Sequence, residues 1–424
     1  MILASTNIIT PLAVVGIATL IGYYMGHIAR FCKLPSIIGY MILGVIMGPS
    51  LLNLFKHSML EDMAFITEIA LGFVAFSIGS ELSMSSLRKL GSGIVSIIFA
   101  ESFTAFFLVT GAVYVYTGFT DGGYDLPLAL IFGAMAPASA PACTVAVIQE
   151  YKAKGNLTKA LYAVVGFDDG LAIIIFGFAA AIAKVLLISE ATGETASILP
   201  SLIDPCKEIV LSIIVGGVVG FLFCQIVRRL DNSRDILIIV FGAVLLAAGL
   251  SQMMHLSLIL TNMVIGFMLV NTRREALVHK VTTPLLEVMP LVFVLFFCLA
   301  GAHLDLGAIP SLGLLGGVYI IGRTVGLIGG ARLGAMIGKV DENIKKYIGL
   351  GILSQAGVAI GLALITQHEL SGLGSTISGG NATHGDVLGT TVLTSVTATC
   401  IFFEIIGPIL TKIALKKAGE IPEK

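Results

Sequence analysis

The chain has 424 residues and a formal net charge of −1, with 25 Lys and Arg against 26 Asp and Glu. Only 12% of its residues are charged and 56% are hydrophobic, whereas about a quarter of the residues in a typical soluble protein are charged. This composition excludes an ordinary cytosolic enzyme, a disordered chain and a nucleic-acid-binding protein, because each of these needs more charge.

Apolar stretches recur along the whole chain, and each is long enough to cross ~30 Å of hydrocarbon. They predict an all-α polytopic membrane protein with a single membrane domain. The longest loops, at about 189–204 and 368–385, are short, so we expect no soluble domain. The chain contains no Walker-type sequence, so we do not expect transport driven by ATP. We predict thirteen transmembrane helices, at about 7–29, 36–54, 62–80, 92–117, 127–150, 158–188, 205–227, 235–253, 257–272, 284–302, 309–337, 345–367 and 386–411.

Lys and Arg fall almost entirely on one side of this predicted topology. The loops after odd-numbered spans, together with the C-terminal tail, hold 20 of the 25 basic residues, and the other side holds 2. Basic residues concentrate in cytoplasmic loops. We therefore expect the N-terminus outside, the C-terminus in the cytoplasm, and a multi-pass location in the cell (inner) membrane.

The fifth span should be interrupted near the middle of the membrane. Pro137 and Pro141 remove two backbone donors, and Ala138 and Ala140 between them leave backbone carbonyls uncovered. Irregular backbone at this depth is tolerated only where it lines a cavity or is buried in protein. The preceding span carries Glu101, one of the few deep ionisable groups.

The sixth span contains the most informative feature, the adjacent carboxylates Asp168 and Asp169. Ten residues of helix place the pair about 15 Å from the end of the span, near the midplane. Adjacent helix positions differ by about 100°, so the two side chains should face different neighbours. Two close carboxylates repel each other, and a proton or a cation on one of them relieves that repulsion.

Arg323 lies deep in the eleventh span, within a stripe of glycines that recurs every four residues and permits close helix packing. A buried guanidinium stays charged and needs a partner. Asp168 and Glu101 are the available carboxylates, so we expect a salt bridge to one of them in the core.

The twelfth span has Ser354, Gln355 and Gly357 at a depth similar to the break in the fifth span, although it lacks proline. An offset of seven spans reverses orientation, which predicts two inverted repeats, at about 7–188 and 235–411. Interrupted helices at matching positions of two repeats point to an ion site at the midplane.

These residues resemble the monovalent cation:proton antiporter family, in particular its bacterial sodium/proton antiporters with an Asp-Asp pair. The resemblance extends over most of the chain and includes Leu34–Pro49, the stretch beginning at Glu81 and the stretch beginning at Phe296. It implies crossing broken helices and a homodimer. It also implies that Asp169 holds the cation or the proton, and that Asp168 pairs with the basic residue at position 323.

The sequence therefore predicts a secondary antiporter that exchanges Na⁺ for H⁺ by alternating access, rather than an enzyme, and that requires no cofactor. Asp169 is the expected Na⁺ ligand, and Ser139, Thr144 and carbonyls of the fifth span supply further oxygens. Helices at about 92–188 and 309–411 should form a moving core, with the remainder as scaffold. Li⁺ or K⁺ as the cation, a sodium-coupled carrier of an anion or other solute, and an ion channel remain alternatives.

Overall fold

The computed structural model describes residues 10–85, 91–120, 125–192, 199–230, 232–254, 256–303, 313–376 and 382–422. Within these ranges the chain is helical, with one isolated β-bridge between Thr376 and Thr383 and no strand. The helices are α1 (Pro11–Phe31), α2 (Ser36–Met47), α3 (His57–Asp62), α4 (Ala64–Glu81), α5 (Ser92–Thr120), α6 (Leu126–Met135), α7 (Pro141–Glu150), α8 (Asn156–Thr192), α9 (Leu199–Val227), α10 (Ser233–Met253), α11 (Leu258–Thr272), α12 (Glu275–Ala302), α13 (Gly313–Ile337), α14 (Glu342–Gly351), α15 (Gly357–Leu370) and α16 (His384–Lys417).

The predicted fold class, an all-α polytopic membrane protein, is confirmed. In the described residues, nine helices are long and apolar enough to cross a membrane, and α2, α6 and α11 are shorter apolar helices. The count of thirteen spans stays a prediction. Residues 7–9 of the predicted first span and 309–312 of the predicted eleventh lie outside the described residues.

Several helices begin where the sequence supplies a side-chain cap. The Asp125 carboxylate accepts a hydrogen bond from the Leu128 amide at 2.8 Å at the start of α6. At the start of α16, Thr383 and Asp386 form a reciprocal capping box. Such caps satisfy amides that have no partner within the helix, so they fix where these helices begin.

The helices pack into two groups. One group, which we call the interrupted-helix bundle, contains α5–α8 and α13–α16; the other, the flanking bundle, contains α1, α2, α4 and α9–α12. Each group is held together mainly by contacts among its own members, and the two meet where α8 packs on α4 and α9, and α7 on α4 and α2. Which bundle moves during transport stays a prediction.

The most extensive helix packing is between α5 and α13, and it uses the glycine stripe. A Cβ at Gly330 would lie 2.6 Å from the Glu101 Cα, and one at Gly326 would lie 2.6 Å from the Ala105 Cα. Only glycine lets the two backbones approach this closely. The stripe thereby holds α5 and α13, the helices that carry Glu101 and Arg323, against each other.

Candidate functional site

The fifth predicted span is interrupted between α6 and α7. Helix α6 ends at Met135, and α7 begins at Pro141, whose fixed φ suits the first turn of a helix. The backbone between them is buried. Carbonyls that an unbroken helix would use are therefore free to bind other groups.

The second interruption lies between α14, which ends at Gly351, and α15, which begins at Gly357. The two interruptions touch, because the Ala140 amide donates to the Ser354 carbonyl at 2.9 Å. The Thr144 hydroxyl also donates to the Gly351 carbonyl at 2.8 Å. This second break needs no proline, since contacts across the crossing replace hydrogen bonds of the helix.

Arg323 is fully buried and joins the two interruptions. Its Nε donates to the Ala136 carbonyl at 2.9 Å, its Nη2 to the Ala138 carbonyl at 2.9 Å, and its Nη1 to the Leu353 carbonyl at 2.7 Å. The guanidinium also lies over the Phe403 ring, 4.3 Å from the centroid. One side chain therefore caps the carbonyl ends of two half-helices, where partial negative charge accumulates.

The expected salt bridge of Arg323 with Glu101 or Asp168 is wrong. The guanidinium donates to backbone carbonyls, whereas Glu101 Oε1 accepts from the Ser102 hydroxyl at 3.0 Å and Asp168 Oδ1 from the Asp169 amide at 2.8 Å. The physical reason is that two interrupted helices expose a convergent set of carbonyls, and a five-donor planar group satisfies them at once. Sequence alone does not reveal that convergence.

Gln355 and Tyr319 brace the same crossing. The Gln355 Nε2 donates to the Met135 carbonyl at 2.9 Å and to the Tyr319 hydroxyl at 2.8 Å. Neither Tyr319 nor Phe403 was predicted from the sequence. Tyr319 lies four residues before Arg323, hence on the same face of α13, and that spacing is the signal that would have found it.

The two aspartates lie together in α8, beside the first interruption. Asp168 is fully buried, and Asp169 is 6% exposed. Ser139 lies beside both, with its hydroxyl near Asp168 and its amide near Asp169. Glu101 is close enough to Asp168 for electrostatic interaction. The structure thus brings four of the predicted site residues into one region.

Several oxygens in this region have no hydrogen-bond partner. Both carboxylate oxygens of Asp169 are buried and unpartnered, as are Asp168 Oδ2, Glu101 Oε2 and the Ser139 hydroxyl. Buried oxygens are nearly always paired, so an unpaired cluster requires an explanation. The Thr144 hydroxyl, by contrast, donates to the Gly351 carbonyl, and the described contacts of Thr144 include neither aspartate.

Cavities enter from both ends of the protein, between the two bundles. We call the end that carries Arg30, Lys154 and Lys412 the basic face. Its cavity has a volume of about 660 Å³ and reaches Tyr162, while the opposite cavity has a volume of about 570 Å³ and reaches Ile173. Along the axis of α8, at 1.5 Å per residue, Asp169 is about 10 Å from Tyr162 and about 6 Å from Ile173.

The chain is similar in sequence to known transporters. The family model described as "Sodium/hydrogen exchanger, transmembrane" matches residues 16–417. The K(+)/H(+) antiporter subunit KhtU of Bacillus subtilis is 22% identical over 412 residues, which cover 95% of this chain and 91% of KhtU. The Na(+)/H(+) antiporter NhaG of Bacillus atrophaeus is 28% identical over 217 residues, which cover 48% of this chain and 38% of NhaG.

Solved structures of the sodium proton antiporter MjNhaP1 from Methanocaldococcus jannaschii share the fold. Two of them align with TM-scores of 0.68 and 0.73 at 19% sequence identity, and each alignment covers 97% of this chain and 99% of the other. The chain therefore shares the helical architecture of these structures. The family match across nearly the whole length shows that this chain belongs to the transmembrane sodium/hydrogen exchanger family and that its activity is cation:proton antiport.

Proposed function

We propose that the chain exchanges Na⁺ for H⁺ and that the Asp169 carboxylate holds the two ions in turn. The observation that carries the proposal is that both Asp169 oxygens are buried and neither accepts a hydrogen bond of good geometry, although the Ser139 amide lies nearby. A buried, unpaired carboxylate is costly in an apolar surrounding. A bound proton or monovalent cation removes that cost, and because both use the same oxygens they compete.

The residues around Asp169 are suited to a hard cation. Na⁺ favours oxygen ligands, as do other hard cations, and the Ser139 hydroxyl and Asp168 Oδ2 are unpartnered oxygens in the same region. Thr144 and carbonyls of the first interruption are further candidate ligands. Arg323 cannot release a proton at workable pH. If two protons move per cation, both aspartates must therefore carry them.

The proposed transport cycle is alternating access. The interrupted-helix bundle moves as the core against the flanking bundle, and Asp169 communicates first with one cavity and then with the other. Loading neutralises the carboxylate, which lowers the cost of carrying it past apolar walls. We further propose that the basic face is cytoplasmic, with the N-terminus outside, and that the protein is a homodimer in the cell membrane.

Proteoliposomes with an internal pH-sensitive dye test the assignment of Asp169. We expect Asp169→Asn to abolish cation-driven proton flux, because an amide cannot exchange a proton for a metal ion. Glu404→Gln is the matched control, since Glu404 is another buried carboxyl of the same bundle and should retain exchange. Wild-type flux in Asp169→Asn would exclude Asp169 as the carrier.

A K⁺/H⁺ exchanger is the second candidate. It is favoured by KhtU, whose printed name is a K(+)/H(+) antiporter subunit and whose similarity extends along 95% of this chain. The first interruption also lacks an acidic side chain between Pro137 and Pro141, so fewer charged ligands are available to strip water from a small cation. Comparing Na⁺, Li⁺ and K⁺ in the same liposomes distinguishes the two candidates.

A further inference from the structure

We propose that Glu150 forms a releasable clasp between the two bundles at the basic face, and that protonation of its carboxylate opens that face. The inference rests on the proposed alternating-access function, which requires the bundles to separate there. The clasp consists of Glu150, Tyr151 and Lys412 from the interrupted-helix bundle and residues 33–36, the connector that leads into α2 of the flanking bundle.

Glu150 caps a helix of the other bundle. Its Oε2 accepts from the Ser36 amide at 2.8 Å, and its Oε1 accepts from the Ser36 hydroxyl at 2.8 Å. Helix α2 has no cap of its own, because Pro35 occupies that position and supplies no side-chain hydrogen bond. A carboxylate at this end also interacts favourably with the helix dipole. A residue of one bundle therefore completes a helix of the other.

Two further side chains hold the connector. The Lys412 ammonium donates to the Lys33 carbonyl at 2.5 Å, and the Tyr151 hydroxyl donates to the Leu34 carbonyl at 3.4 Å. Lys33 has a positive φ of 61°, so the connector turns sharply at this point. The Lys412 ammonium also lies 4.7 Å from the centroid of the Tyr151 ring. The two donors therefore reinforce one another.

The clasp lies where a conformational change would have to act. Ser36 and Glu150 line the basic-face cavity. Gln149, next to Glu150, also crosses between the bundles by donating to the Ser77 hydroxyl at 3.1 Å. Any movement of α7 away from α2 and α4 lengthens these bonds together. The clasped arrangement therefore favours the conformation seen here over one that is wider at the basic face.

The charges around Glu150 indicate that protonation of its carboxylate would release the clasp. The neutral acid loses charge-assisted hydrogen bonds, which are about twice as strong as neutral ones, and it leaves the surrounding basic groups without their counter-ion. Burial raises the pKa of Tyr151 to about 12, so this phenol stays protonated and does not act as the switch. The titratable and charged groups that interact with Glu150 are Arg30 of α1, Tyr40 of α2, Lys412 of α16, and Tyr151, which follows Glu150 in the chain. The same cavity is also lined by Tyr23 and His27 of α1, Glu81 of α4, Lys152 and Lys154, and Tyr162 of α8, and His27 contacts Arg30.

Cysteine labelling of the detergent-solubilised full chain tests the clasp. The reporter is Ala146→Cys, because Ala146 lines the basic-face cavity and is 1% exposed. It is placed in a Cys32→Ser background, since Cys32 is an exposed native thiol. Labelling of the same background without the reporter is subtracted. Rates at each pH are normalised to the denatured protein, which removes the effect of thiol ionisation.

We expect the reporter cysteine to be labelled about tenfold faster in Glu150→Gln than in its parent. This factor follows because the closed state loses one charge-assisted hydrogen bond, so the open state is more populated. The parent should speed up as the pH is lowered from about 8 to about 5, toward the range where carboxyls take up protons, and Glu150→Gln should not. Glu342→Gln is the control, because Glu342 pairs with Lys345 of its own helix. Ser36→Ala keeps the charge and should give an intermediate rate, which separates opening from misfolding.

Equal labelling of Glu150→Gln and its parent would overturn the clasp, as would acid-dependent labelling that persists in Glu150→Gln. The labelling does not depend on transport. If the liposome assay shows no cation-driven proton flux while labelling behaves as expected, the proposed function fails and the clasp stands. If exchange is normal but labelling is unaffected, the clasp alone fails.

Discussion

Replacing Arg323 with alanine should destabilise the protein more than any other single arginine substitution that we consider. The guanidinium makes three hydrogen bonds of 2.7–2.9 Å and a fourth of 3.5 Å, all to backbone carbonyls of the two interruptions. A buried carbonyl left without a donor costs about 1–3 kcal/mol. Water entering the vacated space offsets part of this cost, so we expect a net loss of about 3–5 kcal/mol.

The assay is thermal unfolding of the purified protein in detergent, followed by scanning fluorimetry. Arg332→Ala is the matched control, because Arg332 belongs to the same helix α13 but is exposed. Arg323→Lys should fall between the two, since an ammonium keeps the charge but cannot donate in the planar fork that reaches both interruptions. If Arg323→Ala unfolds at the same temperature as Arg332→Ala, the carbonyl-capping role is refuted.

Two further predictions concern packing and capping. Gly330→Ala should lower the free energy of unfolding by about 1–3 kcal/mol, because the added Cβ would lie 2.6 Å from the Glu101 Cα. Gly329→Ala is the control and should leave the unfolding temperature unchanged in the same fluorimetry, because Gly329 faces open space. Glu420→Ala should cost about 1 kcal/mol, because its carboxylate accepts three hydrogen bonds of 2.7 Å at the first turn of α8. Lys416→Ala, an exposed change nearby, should unfold like the parent.

The sequence could predict the features that depend only on residues close together in the chain. Long apolar stretches predict helices, and two prolines four residues apart predict the interruption at Pro137–Pro141. The glycine stripe of α13 predicted close packing, and its partner is α5. Adjacent aspartates within an apolar helix indicated the candidate ion site. Each of these signals acts within a few turns of one helix, so it can be read without knowing the fold.

The features that escaped prediction depend on contacts between distant segments. Arg323 is 185 residues from Ala138 in sequence, and Glu150 is 114 residues from Ser36. A charge rule predicts that a buried arginine has a partner, and a carboxylate is the obvious choice. Nothing in the sequence reveals that backbone carbonyls of two crossing half-helices converge at that point and satisfy the guanidinium instead.

This arrangement of Arg323 bears directly on the proposed ion site. Had Arg323 paired with Asp168, its positive charge would have neutralised one carboxylate permanently, and the site would have less need of a cation. Because the guanidinium is committed to the half-helix ends, the oxygens of Asp169 and one oxygen of Asp168 lack partners. The proposed function follows from this, because a buried carboxylate that makes no hydrogen bond or ion pair is costly unless it takes up a proton or a cation. On the proposed function, the arginine therefore supports the helix crossing while the carboxylates remain available to exchangeable ions.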